Sequence, residues 1–289
     1  VPFVEDLDND GKKEIIVIHS QYVNDSSVWP YVSSFVYIFN SNGQIESGWP
    51  LRISDNWFHS AIIGDINSDG IKEIIIKGGK ITSSINPNIN IVDYKTRKII
   101  NKWNFPNEDD ANSLWGRLAL GNFDDDKDLE IVATKRSEIT SISDNGEVHI
   151  FNADGTEVLG WPIKIFGAGS FSAPAVADMN KDGNDDIILG LNYFYKGVFP
   201  DYEKGGLYVF ERSGNILPGW PQSKGYNFVS APSVADIDSD GNLEIIASKL
   251  GNNTYVYNNM GQLLSGWPQI TVWNDWESTI AGDVNGDGK

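Results

Sequence analysis

The sequence predicts an all-β chain, a β-propeller of four-stranded antiparallel blades. Three observations carry that expectation. A short acidic loop recurs along the whole chain at nearly constant spacing. Each copy leads into an apolar run, and a second repeated element with a Gly-Trp-Pro signature lies between copies. No segment sustains helical periodicity.

The acidic loop is clearest at Asp236-Ile-Asp-Ser-Asp-Gly-Asn-Leu-Glu244. Carboxylates stand at loop positions 1, 3, 5 and 9, with glycine at 6. Alternate acids on a tight loop converge their oxygens on one point. A hard cation makes such a concentration of charge tolerable, and Ca²⁺, which takes many oxygen ligands, fits best. Other copies start at Asp6, Asp65, Asn122 and Asp178, and an incomplete one starts at Asp283. The first five starts lie roughly 56–59 residues apart and the last step is roughly 47, close to the period of propeller blades.

Each repeat reads as four strands. Strand A is small-residue rich, as in Ser172–Ala177 and Ser230–Ala235. Strand B follows the loop as Ile15–Ile18, Ile74–Ile76, Ile131–Ala133, Ile187–Leu189 and Ile245–Ala247. Consecutive apolar positions predict a strand covered on both faces. Strands C and D form a hairpin through an Asn-Gly or Asp-Gly type turn and Gly-Trp-Pro, as in Val36–Pro50, Val148–Pro162, Leu207–Pro221 and Tyr255–Pro268. The second repeat degrades this to Ile89–Val92 and Trp103-Asn-Phe-Pro106. Radially arranged four-stranded sheets account for all of it. The chain holds five complete repeats and the start of a sixth. It opens at the end of one strand A and stops inside a loop, so residues 1–289 are expected to be a single propeller domain and a piece of a longer protein.

This pattern resembles the FG-GAP/VCBS repeats of integrin-α-like propellers, and the resemblance spans essentially the whole chain. It implies a ring of six to eight blades, with seven favoured. It also implies several structural Ca²⁺ ions held by side chains at positions 1, 3, 5 and 9, each joining strand A to strand B. Carried over, the sites are Asp6, Asp8, Asp10 and Glu14; Asp65, Asn67, Asp69 and Glu73; Asp178, Asn180, Asp182 and Asp186; and Asp236, Asp238, Asp240 and Glu244. The third, Asn122, Asp124, Asp126 and Glu130, departs from the pattern. Asn122 replaces the first acid and Lys127 the glycine, so a weaker or distorted site is expected. The sixth offers Asp283, Asn285 and Asp287 but lacks a ninth position. The alternative for any copy is an Asx turn without metal.

Composition narrows the function classes. The chain carries 40 acidic against 22 basic residues, a formal net charge of −18, which argues against nucleic-acid partners. There is no cysteine, so there are no disulfides and no thiol chemistry. No apolar run is long enough to span a membrane, so none of this segment is expected to insert. No P-loop, serine-nucleophile elbow or histidine-metal motif occurs. Of three histidines, His19 and His59 could lie near one face, and His149 reads as half-exposed sheet. No catalytic residue is assigned and the chain is not expected to be an enzyme.

In an antiparallel meander the acidic A–B loops share a face with the C–D turns. The B–C and D–A connections form the opposite face, where the repeats diverge. Variable loops on a rigid scaffold commonly carry recognition. Insertions there hold Tyr22, Trp29 and Tyr31 in the first repeat, and Tyr193, Tyr195, Phe199 and Tyr202 in the fourth. These non-periodic aromatics are candidate ligand contacts. The periodic ones (Phe58, Trp115, Phe171, Trp276 and the Gly-Trp-Pro tryptophans) read as packing between blades. The expected function is an extracellular or cell-surface, calcium-stabilised adhesion module that binds a protein or glycan through this face. The alternatives are a polysaccharide-active enzyme such as a lyase, and a spacer in a larger surface protein.

Overall fold

The computed structural model describes residues 2–22, 32–54, 57–79, 88–104, 117–135, 145–166, 170–192, 205–222, 228, 230–249, 253–271 and 279–282. Among these residues there is no helix. The strands form five four-stranded antiparallel sheets. The first contains β1 (Phe3–Glu5), β2 (Glu14–Tyr22), β3 (Val32–Phe39) and β4 (Leu51–Ser54). The second contains β5 (Trp57–Gly64), β6 (Glu73–Gly79), β7 (Asn88–Asp93) and β8 (Lys98–Asn104). The third contains β9 (Leu118–Gly121), β10 (Glu130–Lys135), β11 (Asn145–Phe151) and β12 (Ile163–Phe166). In these three sheets sequence neighbours are also spatial neighbours, as a meander requires.

The fourth sheet holds β13 (Ser170–Phe171), β14 (Ala175–Ala177), β15 (Asp186–Asn192) and β16 (Gly206–Phe210). Both β13 and β14 pair with β15, so they are one strand A broken in the middle. Pro174 lies in the break, where it can offer no N–H to the ladder. Strand D here shrinks to a bridge between Leu207 and Gln222. The fifth sheet is β17 (Ser233–Ala235), β18 (Glu244–Lys249), β19 (Asn253–Tyr257) and β20 (Gln269–Ile270). The chain falls into two compact units: residues 1–116, 127–129 and 152–156 in one, and 117–126, 130–151 and 157–289 in the other.

The C–D connection has a constant form. In the first repeat Gly43 N donates to Asn40 O at 2.9 Å and Glu46 N to Ile38 O at 2.9 Å, before Trp49 N reaches Glu46 O at 3.1 Å. The third, fourth and fifth repeats repeat these bonds at Gly155, Gly214 and Gly261. The Trp-Pro peptide that follows is cis in all four. The second repeat differs from the sequence expectation. A four-residue turn, with Arg97 at φ 56°, leads straight into β8, and Trp103 lies inside that strand. It is therefore not the counterpart of the Gly-Trp-Pro tryptophans.

Face-to-face packing of successive repeats builds the core. In the first unit Ile16, Val36, Ile38 and Trp49 pack on Ile74, Ile76 and Val92. In the second, Val132, Val148, Ile150 and Trp161 pack on Ile187, Leu189 and Phe210. There too, Ile188, Val209 and Trp220 pack on Ile245, Ala247 and Tyr257. The indole N–H of Trp161 donates to Arg212 O at 3.0 Å, and that of Trp220 to Asn259 O at 3.2 Å. Each tryptophan thus ties its own C–D turn to the next one. The two-sided burial expected of strand B holds in β6 and β10, whereas Ile15 in β2 is 38% exposed.

Replacing Ile150, fully buried in this packing, by alanine should cost about 2–5 kcal/mol of unfolding free energy in urea titration. Leu159, which is 98% exposed on a C–D turn, should tolerate alanine to within about 0.5 kcal/mol.

Candidate metal centres

The acidic loops owe their position to strand register. Position 9 is always the first residue of strand B. It lies directly opposite the last residue of strand A, in the pairs Glu5 and Glu14, Gly64 and Glu73, Gly121 and Glu130, Ala177 and Asp186, and Ala235 and Glu244. The loop is therefore a tight excursion that must return at the ladder position it left.

Two sets of hydrogen bonds hold it. The position 1 carboxylate accepts from the backbone N–H groups of positions 5 and 6. For Asp6 the donors are Asp10 N at 3.1 Å and Gly11 N at 3.0 Å. Asp65, Asp178 and Asp236 repeat the pair. The turn also needs left-handed backbone. The position 6 glycines have φ between 84° and 91°, and position 4 residues Asn9, Ser68, Lys181 and Ser239 have φ between 54° and 62°.

The position 9 carboxylate supplies the second set. One of its oxygens accepts from the backbone N–H of position 2 in all five copies: Leu7 to Glu14 at 2.9 Å, Ile66 to Glu73 at 3.1 Å, Phe123 to Glu130 at 2.6 Å, Met179 to Asp186 at 3.0 Å and Ile237 to Glu244 at 3.0 Å. These carboxylates are buried. Burial, with nearby loop carboxylates adding to it, pushes Glu73, Glu130 and Asp186 each up to about 7 and raises Glu14 and Glu244 in the same direction. The second oxygen of Glu73 is buried and has no hydrogen-bond partner. A buried, unpaired oxygen beside further carboxylates is an electrostatic cost that a cation would remove.

Three loops bring three carboxylates within reach of one ion, with oxygens inside 4.8 Å of one another: Asp6, Asp8 and Asp10; Asp124, Asp126 and Glu130; and Asp236, Asp238 and Glu244. Asp10 stays in its cluster while its Oδ2 also accepts from the Lys12 ammonium at 2.8 Å. Asp240 is occupied by the backbone and amide of Asn242, at 2.7 and 3.0 Å. In the second and fourth loops the amide oxygens of Asn67 and Asn180 stand at position 3 and accept from Asp69 N and Asp182 N. The donor set is all oxygen, which suits a hard divalent cation.

The third loop is built differently. No residue in it has positive φ, and Asn122 donates its amide to Asp126 O at 3.0 Å instead of accepting from the turn. A neighbouring repeat supports it: Arg212 bonds Asp125 at 2.9 Å and Asn184 at 2.7 Å. Even so, Asp124, Asp126 and Glu130 converge. Asp283, Asn285 and Asp287 lie outside the described residues, as do Trp29, Tyr31, Tyr193, Tyr195, Phe199, Tyr202, Trp115 and Trp276. Tyr22 ends β2 and Phe58 and His59 lie in β5, but their side chains are likewise outside the description.

Sequence reasoning missed several features. It did not find the position 2 N–H clasp, or the links Asn9 Nδ2 to Gly70 O at 2.8 Å and Ser68 Oγ to Lys127 O at 2.9 Å. Both links join position 4 of one loop to position 6 of the next. His149 also differs from expectation. It is buried, stacked on Phe151 at 5.5 Å, with Nδ1 2.5 Å from Glu157 and Nε2 3.4 Å from Glu147. His19 is exposed in β2 opposite Phe35.

The comparisons agree with this architecture. The chain carries FG-GAP-like repeats: the model of that family matches residues 6–76 and 122–189. No curated protein matches the sequence. Among solved structures, the Vibrio cholerae biofilm matrix protein Bap1 is similar with a TM-score of 0.57 and 18% identity. That match covers 96% of this chain and 40% of Bap1, so the chain spans less than half of the protein it resembles. A structure of BBS1N in complex with ARL6DN is similar with a TM-score of 0.50 and 10% identity, over 94% of this chain and 82% of that one. Identities this low show a shared fold.

The raised position 9 carboxylates fix a sign for pH. In chelator, the folded protein binds more protons than the unfolded chain between the ordinary values, 4.5 for Glu and 3.8 for Asp, and about 7. The stability they contribute is thus complete below pH 4 and lost as pH rises through 7. The melting temperature in EDTA should fall from pH 5 to pH 8. Glu73→Gln, which keeps an acceptor for Ile66 N but has no charge, should flatten that fall. A chelated protein whose melting temperature is level over this range would contradict the assignment.

Proposed function

We propose that the chain is a calcium-stabilised binding module of a cell-surface or secreted protein, arranged as one β-propeller domain, and that it adheres to a protein or glycan. The observation that carries this reading is the clasp repeated in five loops: a buried carboxylate at position 9, a carboxylate cluster before it, and one strand pair closed by each. Under this reading Ca²⁺ takes the side chains at positions 1, 3, 5 and 9 named above. It supplies positive charge where the fold concentrates negative charge, and its role is structural. The clusters stand next to strand termini, and no titratable base is assigned to act beside them.

Exposed, all-oxygen loops suit the high calcium concentrations found outside the cell. These loops are short and largely exposed. All-oxygen sites of that kind in extracellular modules work at calcium concentrations of about 10⁻⁴–10⁻³ M. The likeness to a biofilm matrix protein fits the same setting, although a likeness of 18% identity carries fold and not activity. No helix among the described residues is long and apolar enough to cross a membrane.

Recognition is assigned to the end of each sheet away from the loops. Strand pairing puts the B–C and D–A ends together there: Gln21 pairs with Ser33, and Ser34 with Ser54, at the far end of β2, β3 and β4. In the sequence the aromatic insertions of the first and fourth repeats follow β2 and β15.

Two measurements test the reading. Millimolar Ca²⁺ should raise the melting temperature over the EDTA sample by several degrees, and Mg²⁺ should do so less. Equal melting with and without Ca²⁺ would remove the calcium assignment. Replacing residues 23–31 and 193–204 by Gly/Ser linkers should leave the calcium-bound melting temperature unchanged and abolish retention on protein- or polysaccharide-coated surfaces. Retention that survives both replacements would place recognition elsewhere.

A further inference from the structure

Acidic loops of successive repeats are bonded to one another through position 4, the residue between the position 3 and position 5 side chains. In the first loop this is Asn9, between Asp8 and Asp10, with φ 60°. Its Nδ2 donates to Gly70 O in the second loop at 2.8 Å. That acceptor is one end of a rigid unit. Gly70 C=O and Ile71 N–H belong to a single planar peptide group, and Ile71 N donates to Asp69 Oδ1 at 2.8 Å. Asn9 therefore fixes the plane that holds Asp69, the position 5 carboxylate of the second loop. Gly70 N also donates to Asp65 Oδ2 at 2.8 Å, which ties position 1 to the same residue. This second loop is the one whose Glu73 keeps a buried oxygen without a partner.

The second compact unit has a relay of different chemistry that starts and ends at the same loop positions. Asp125, position 4 of the third loop, accepts from Arg212 Nη1 at 2.9 Å, and the same nitrogen donates to Asn184 Oδ1 at 2.7 Å. Asn184 is position 7 of the fourth loop. Its amide oxygen is held by Arg212, and its backbone N–H and its Nδ2 both donate to Asp182 Oδ1 at 2.9 Å. In each unit, position 4 of one loop thus connects through hydrogen bonds to the position 5 carboxylate of the next.

We propose that these relays couple neighbouring ion sites. Asn9 is a positioning residue for the second site although it belongs to the first loop, and Arg212 is one for the fourth. With Asp8 and Asp10 gathered on one ion, Asn9 is fixed between them and Asp69 is held ready for another. The coupling is reciprocal, so occupation of the second loop favours the first equally. This inference rests on the calcium reading above and adds that the sites do not fill independently.

Amide hydrogen exchange of the 289-residue chain, read by mass spectrometry across a calcium titration, follows each loop in its own peptide. The calcium midpoint for protection of residues 65–73 reports the second loop alone. In Asn9→Gly that midpoint should rise about three- to tenfold, the worth of one hydrogen bond, while that of residues 236–244 stays in place. Glycine adopts positive φ readily, so the first loop keeps its turn. Asn9→Ser restores a donor of the kind Ser68 uses at position 4 of its own loop, and should return the midpoint to within about twofold of the parent. Asp69→Asn should raise the midpoint of residues 6–14 in the parent but not in the Asn9→Gly background. Arg212→Ala gives an independent second variant, which should move residues 178–186 and not 65–73. Loops that calcium fails to protect in the parent would overturn the calcium reading and this inference with it. Intact protection in the parent, with the 65–73 midpoint unmoved in Asn9→Gly, would overturn the coupling alone. A shift confined to residues 6–14 would do the same, because it reports only a local role for Asn9.

Discussion

The bond from the position 2 backbone N–H to a buried carboxylate at position 9 is the contact on which each repeat depends. It closes the loop at its base. It also puts an anion where strand B begins, directly across from the end of strand A. Burying a charge there is unfavourable unless something compensates, and one backbone N–H is partial compensation. The remaining charge is answered locally by more anions, at positions 1, 3 and 5. A cation held among these oxygens would offset that charge, so the residue that closes the loop is also one that could ligate an ion.

The rest of the loop follows from that closure. To return to the register position it left, the backbone must turn sharply, and it does so with left-handed conformation at positions 4 and 6. Glycine adopts this readily at position 6. The third loop has Asp125 and Lys127 instead and takes another path, yet still delivers Glu130 to the N–H of Phe123. The clasp survives where the turn does not. This ranks the two features: position 9 organises the loop, and the glycine eases it.

How much of this could be read from sequence depended on periodicity. Carboxylates at alternate positions, the glycine, the apolar run after position 9 and the Gly-Trp-Pro signature recur in chain order, so sheets and loops were legible. Features that join different repeats were not. Asn9 and Ser68 make the same link to the next loop with unlike side chains, and Arg212 braces the third loop from another repeat. Their signal lies in spatial proximity across roughly one repeat length. His149 was misjudged because alternation along β11 places it opposite Ala133, on a face that packing covers. Trp103 was misassigned because the second repeat exchanges the long Gly-Trp-Pro connection for a tight turn, which moves its tryptophan into strand D.

Packing and electrostatics are also coupled along the chain. The position 9 carboxylates of the second, third and fourth loops are raised furthest, to about 7, whereas Glu14 and Glu244 are raised less. The loop sequences do not explain this difference, because the first and fifth copies have the fullest sets of acids. Desolvation is the largest cause at all five sites, so the environment decides. All five side chains are buried, so the difference lies in how deeply the surrounding protein encloses them and not in their own exposure.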